Sequence, residues 1–134
     1  MVNGCRSGNK VIIYSEVLSG LSSHKSDHYD IPDTLVNCNF ELYDILDSST
    51  LILSGRFCKS KKCSVWKEFY RNGQIRSKIK YKNNLVDGTC KEWYPSGKIK
   101  IVWIVKDSNN IKVKNCYDPD GKKITIGEMR DMGY

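Results

Sequence analysis

The chain has 134 residues, 40% of them hydrophobic and 28% charged, with a net charge of +7; this supplies one domain with a modest core and leaves too little chain for a second large one. The strongest apolar run, Ile101-Val102-Trp103-Ile104-Val105, has the length of a strand, well short of the roughly eighteen residues that read as a membrane-spanning helix, so a soluble protein is expected. Charge is uneven, with three basic and seven acidic side chains in residues 1–55 against nineteen and eight in residues 56–134, which makes the C-terminal part the basic one.

At the N-terminus, Met1-Val2-Asn3-Gly4-Cys5-Arg6 offers no apolar signal core, and Val2 stands where myristoylation would require glycine, so an intracellular location is expected. In that setting the six cysteines, Cys5, Cys38, Cys58, Cys63, Cys90 and Cys116, are expected as reduced thiols. Seventeen Lys, thirteen Ile and ten Asn beside no Ala at all are what AT-rich codons produce, and that bias accounts for part of the lysine excess.

Lys10–Tyr14, Leu35–Tyr43 and Leu51–Phe57 read as strands, and the polar stretch Ser22–Asp33 as a loop. Residues 1–60 are expected to form a β-rich segment that caps the first edge of the remainder, because an unpaired edge invites aggregation. Cys58 and Cys63, four residues apart in their intervening stretch, with His24 and His28 supply four ligand types suited to zinc. Neither their order nor their spacing matches a common finger, so they stand only as a weak alternative to no metal site.

From residue 61 onward the chain repeats itself. Gly73, Gly97 and Gly121 are 24 residues apart, and Trp66-Lys67-Glu68-Phe69-Tyr70-Arg71-Asn72-Gly73-Gln74-Ile75 aligns without gaps on Cys90-Lys91-Glu92-Trp93-Tyr94-Pro95-Ser96-Gly97-Lys98-Ile99. Cys116-Tyr117-Asp118-Pro119-Asp120-Gly121-Lys122-Lys123-Ile124 reads as a third copy with one extra residue between Tyr and Gly, and Phe40-Glu41-Leu42-Tyr43-Asp44 as a degenerate earlier one without its turn glycine. Arg-Asn-Gly, Pro-Ser-Gly and Pro-Asp-Gly place glycine where a tight turn needs positive φ, so each copy predicts a β-hairpin. After the first turn Ile75, Ser77, Ile79 and Tyr81 alternate with Arg76, Lys78, Lys80 and Lys82, the pattern of a strand with one packed and one wet face. Asn83-Asn84, Asp87-Gly88 and Asp107-Ser108-Asn109-Asn110 supply the intervening reversals. The fold expected is all-β: an antiparallel meander of tandem hairpins over residues 61–134 forming one twisted sheet, continuous with the N-terminal cap.

Gly88-Thr89-Cys90-Lys91-Glu92-Trp93-Tyr94-Pro95-Ser96-Gly97, with its upstream copy, resembles the MORN-repeat variant family. Two positions depart from its pattern: Ser64 where a leading glycine belongs, and Cys90 where tryptophan belongs. The resemblance implies hairpin arrays used for protein or membrane-surface contact, with some bacterial members antitoxin-like and many copies in large DNA viruses. It implies no catalytic residue and no cofactor.

The candidate partner-binding surface is the basic face formed by Arg76, Lys78, Lys80, Lys82, Lys98, Lys100, Lys112 and Lys114. Such a patch suits an acidic protein surface, anionic lipid or nucleic-acid phosphates; the plain alternative is a solvated sheet face. Trp66, Tyr70, Gly73, Gly88, Trp93, Tyr94, Gly97 and Gly121 are the repeat-defining positions. Both histidines fall in the polar loop, and Glu68 and Glu92 are equivalent repeat positions rather than a carboxylate pair, so no enzyme is expected. The function expected is a non-enzymatic interaction or scaffold module, with a structural component of a giant-virus particle as one specific case and an antitoxin-like protein as another.

Overall fold

The computed structural model describes residues 10–15, 37–44, 46–107 and 109–134, with residues 10–15 described through their backbone. Ten strands form one open, twisted sheet: β1 (Lys10–Ser15), β2 (Asn37–Asp44), β3 (Leu51–Cys58), β4 (Lys61–Phe69), β5 (Ile75–Lys82), β6 (Leu85–Val86), β7 (Gly88–Trp93), β8 (Ile99–Lys106), β9 (Asn110–Tyr117) and β10 (Lys123–Ile124). A helix, α1 (Ile126–Asp131), follows. From β2 to β10 neighbours are antiparallel and in meander order, with β6 paired on β5 beside the start of β7. The all-β hairpin array expected from the repeats is therefore the observed fold.

Two features differ from that expectation. β1 lies parallel to β2, Lys10 opposite Asn39 through Ser15 opposite Asp44, so the first pair is not part of the meander. A parallel pair needs a dozen or more residues between its strands, and more than twenty separate Ser15 from Asn37 in the sequence. The chain also closes on a helix, capped by Thr125, whose Oγ1 accepts a hydrogen bond from Glu128 N at 3.2 Å while Glu128 Oε2 accepts one from Thr125 N at 2.7 Å. Thr-x-x-Glu is a capping box, a start signal short enough to escape a reading based on periodicity.

The 24-residue phase extends beyond the two clear copies. β3, β5 and β8 are eight-residue strands beginning at Leu51, Ile75 and Ile99, and β10 begins at the next position in phase, Lys123. At one end of the strands the turns superimpose: Tyr70 N donates to Gln74 O, Tyr94 N to Lys98 O and Asp118 N to Lys122 O, at 2.8, 2.8 and 2.9 Å. The glycines in these turns have φ of 83°, 86° and 93°, a conformation that would strain any side chain. Asp118, not Tyr117, is thus the third member of the Tyr70–Tyr94 series, and the third copy has no extra residue; its tyrosine belongs with Phe69 and Trp93. At the opposite end, Lys59-Ser60 and Asn83-Asn84 have paired positive φ and Asp107 continues the series with φ 54°, as type I′ hairpin turns require.

Tyrosine hydroxyls tie one repeat to the next. Tyr70 Oη donates to Trp93 O at 2.8 Å and Tyr94 Oη to Tyr117 O at 2.7 Å. Asn72 Nδ2 adds a bond to Pro95 O at 2.9 Å. Burial pushes both tyrosine hydroxyls up from their ordinary pKa, which keeps them protonated as donors. Tyr70→Phe should lower stability by about 0.5–1.5 kcal/mol, since one neutral hydrogen bond is lost and a carbonyl left to water. Urea titration of the variant checks this, and an unchanged midpoint would mean that the inter-repeat bond contributes nothing.

The core sits at the N-terminal end of the described sheet, where Cys38, Phe40, Leu42, Leu53, Phe57 and Trp66 form one cluster with Ile52 and Tyr81 against it. β2 contributes its even-numbered residues to this side, and the pairs Cys38–Phe57 and Leu42–Leu53 join them to β3. Further along, Cys90, Val105 and Cys116 are buried on the same side of the sheet. Cys90 stands 24 residues after Trp66 and is completely buried, a small apolar group where the earlier repeat places an indole. Burial raises the Cys90 and Cys116 thiols above their ordinary pKa, so both are poor nucleophiles.

Candidate interaction surface

Residues directly opposite one another in an antiparallel pair share a side of the sheet. Two adjacent rows therefore sort the side chains of this array. One row runs Leu53–Glu68–Ser77–Glu92–Ile101–Cys116 and belongs to the packed side. The next runs Ser54–Lys67–Lys78–Lys91–Val102–Asn115 and faces the other way. Three lysines on three neighbouring strands thus stand side by side. A further row places Val65 beside Lys80, and Thr89 beside Ile104 and Lys112. No paired position on this side of β4, β5, β7, β8 or β9 carries a carboxylate, and among the described residues no acid lies within ion-pair distance of Lys67, Lys78 or Lys91. The acids of these repeats lie on the packed side, as Glu68 and Glu92, or in turns, as Asp87, Asp107, Asp118 and Asp120.

The residues singled out in the sequence fall into three settings. Lys78 and Lys80 belong to the outward rows, Lys78 with its Nζ 5.6 Å from the centre of the Trp93 ring, and Lys82 is exposed beside Leu85. Lys112 and Lys114 join Ile104, Lys106 and Asn110 around a shallow depression of about 250 Å³ beyond β8. Arg76, Lys98 and Lys100 lie at the turn end, engaged with neighbours: Arg76 over the Tyr70 ring at 5.8 Å, Lys100 over Tyr94 and Tyr134 at 5.8 and 5.4 Å, and Lys98 Nζ donating to Asp120 O at 3.0 Å. Cation–π contacts of this kind hold the charge near its ring without neutralising it.

Lys67 and Lys91, at the centre of the outward face, were not among those residues. Alternation is plain in the strands that follow a turn, whereas these two residues precede one, inside the Lys-Glu-aromatic motif. The signal was present: with Trp66 and Cys90 inside, the next residue in each strand must point outward.

On the packed side, Lys62 Nζ sits 4.8 Å from the Trp66 ring centre and 5.1 Å from that of Tyr81. Burial holds its ammonium below the ordinary lysine pKa, partly offset by Glu68. This lysine is a structural cover for the core rather than part of the outward charge.

Cys58 and Cys63 form a disulfide across the Lys59-Ser60 turn, correcting the expectation of reduced thiols throughout. The hairpin brings the two Cα atoms to 5.8 Å, within bridging range, a proximity that sequence spacing could not reveal. With both sulfurs in one bond neither is a thiolate ligand, which removes half of the weak zinc alternative; His24 and His28 lie outside the described residues. Cys90 and Cys116 are free and buried, and Cys38 is buried in the core.

The MORN repeat variant model matches the chain twice, at residues 62–83 and 86–107. The two matches are 24 residues out of register, the same interval that separates β5 from β8. Neither a curated protein nor a solved structure matches the chain. Repeats of this kind are non-catalytic modules that generally mediate protein or membrane contact. Over residues 62–107, the chain is similar to the MORN repeat variant family.

Proposed function

We propose that this protein is a non-enzymatic scaffold module whose outward sheet face, centred on Lys67, Lys78 and Lys91, docks an acidic surface of a partner protein in a larger assembly. The observation that carries this reading is the in-register row of three lysines without a carboxylate among them. Like charges directly opposite one another in a sheet are destabilising, by about 0.2–1 kcal/mol per pair. A fold with no partner for this face gains nothing by that arrangement. Val65, Val102 and Ile104 between the lysines provide apolar contact area, as an interface core requires. A structural protein of a large virus particle is the specific form that the resemblance and the AT-rich composition suggest.

Lys78→Glu separates a docking role from a purely structural one. It places a carboxylate between two lysines, so the isolated protein should melt at the same temperature or higher. Its retention of the partner, captured from native source material and identified by mass spectrometry, should fall at least about tenfold, with wild-type retention weakening as salt rises. Undiminished capture by the variant would sink the proposal.

Contact with anionic lipid or nucleic acid is the second reading, favoured by the same uncompensated face and by Trp93 beside Lys78. Sedimentation with anionic liposomes and DNA retention, each at low and moderate salt, test it. Binding in neither assay removes it.

A further inference from the structure

The array ends before its last strand is complete. In phase with β3, β5 and β8, each of eight residues, the strand beginning at Lys123 should run to Arg130; it stops after Ile124, where the Thr125–Glu128 capping box starts α1. β10 therefore pairs only Cys116 and Tyr117 of β9. β9 has eight residues, and among the described residues the other six, Asn110–Asn115, have a strand on one side only. α1 lies against β9, and Tyr134 beyond it packs edge-on against Tyr94 at 5.5 Å. Ile111 is 65% exposed, and Lys112 and Lys114 are exposed as well.

We infer that the free edge of β9, residues 110–115, is a strand-acceptor site for an extended acidic segment of a partner protein. Every second residue of an unpaired edge presents its N–H and C=O outward, so an incoming strand gains main-chain hydrogen bonds whatever its sequence, while the alternating side chains set specificity. Here they alternate sharply. Ile111 and Val113 lie on the packed side, opposite Val105 and Trp103, and Lys112 lies on the outward side, opposite Ile104. Lys112, Lys114 and Asn110 of β9 line a depression together with Ile104 and Lys106 of β8. A strand alternating acidic and apolar residues would set its carboxylates against the lysines and its apolar side chains along Ile111 and Val113. A second copy presenting the same edge would set lysine against lysine, which is the usual protection of an edge against self-pairing. The charge therefore selects an acidic strand over another β9. This site is separate from the lysine row of β4, β5 and β7.

A fluorescein-labelled peptide of alternating Val and Glu, titrated against the full chain and followed by anisotropy, tests the assignment. Saturable binding is expected, with slowed amide hydrogen exchange confined to residues 110–115. The double variant Lys112→Glu/Lys114→Glu should weaken binding at least about tenfold, and so should N-methylation of alternate peptide bonds, which removes the main-chain donors. Lys61→Glu, exposed on β4 several strands away, should leave the peptide affinity unchanged. No saturable binding up to about 1 mM peptide, full affinity of the N-methylated peptide, or protection elsewhere in the chain would each overturn the inference.

Discussion

Trp66→Ala is expected to lower the stability of the protein by about 3–5 kcal/mol, the range for emptying a buried aromatic site. The indole is only 3% exposed. It stacks against Phe57, Phe40 and Tyr81 at ring-centre distances of 5.1, 5.6 and 6.2 Å. Its Nε1 donates to Arg56 O at 3.2 Å, so truncation also removes a hydrogen bond where the β3–β4 register shifts. Against a typical total of about 5–15 kcal/mol, such a loss should depress Tm by roughly 10–20 °C. Calorimetry checks this, and a shift of less than about 3 °C would place the stabilising core elsewhere. The equivalent change one repeat later, Cys90→Ala, removes a single sulfur and should cost far less, so the two copies are unequal in energy although alike in backbone.

Gly55→Ala should be nearly as damaging for the opposite reason. A methyl group built on Gly55 falls within the indole ring of Trp66, so β3 and the ring must separate before the side chain fits. Overpacking of a filled core typically costs about 1–3 kcal/mol and occasionally more. With the ring locked between Phe40 and Phe57, the upper end is expected. Because the clash needs the ring, the double variant Gly55→Ala/Trp66→Ala should be little worse than Trp66→Ala alone. A double-mutant cycle measures this coupling; additive losses would show that Gly55 serves the backbone rather than the indole.

The hairpins were legible in the sequence because their signals are local. A turn glycine at a fixed interval and alternation from Ile75 to Tyr81 depend on neighbours a few residues away. In the sequence the conspicuous Tyr117 aligns on Tyr94, whereas the backbone bond from Asp118 N to Lys122 O sets the phase of the third copy one residue later. What remained hidden depends on partners distant in sequence or on geometry. The parallel seat of β1 follows a long crossover, the Cys58–Cys63 bond needs the hairpin to form first, and the requirement for glycine at residue 55 arises only when Trp66 folds onto it from the next strand. The alternation of lysines along β5 is readable by parity, but the row that sets Lys67 and Lys91 beside Lys78 emerges only when strands on both sides of a turn are set in register.

The fixed phase of the turns makes the array a molecular ruler. Each 24-residue unit, as from Ile75 to Ile99, advances the sheet by two strand spacings, about 9.5 Å, and rotates it by roughly 40–50°. Span and angular offset between any two side chains at equivalent positions are therefore quantised in whole repeats. Inserting or deleting one unit would move everything beyond it by a known step and turn, while changing the length of a single strand would not. A protein built in this way can alter the distance between the surfaces it joins by copying a segment of its own sequence.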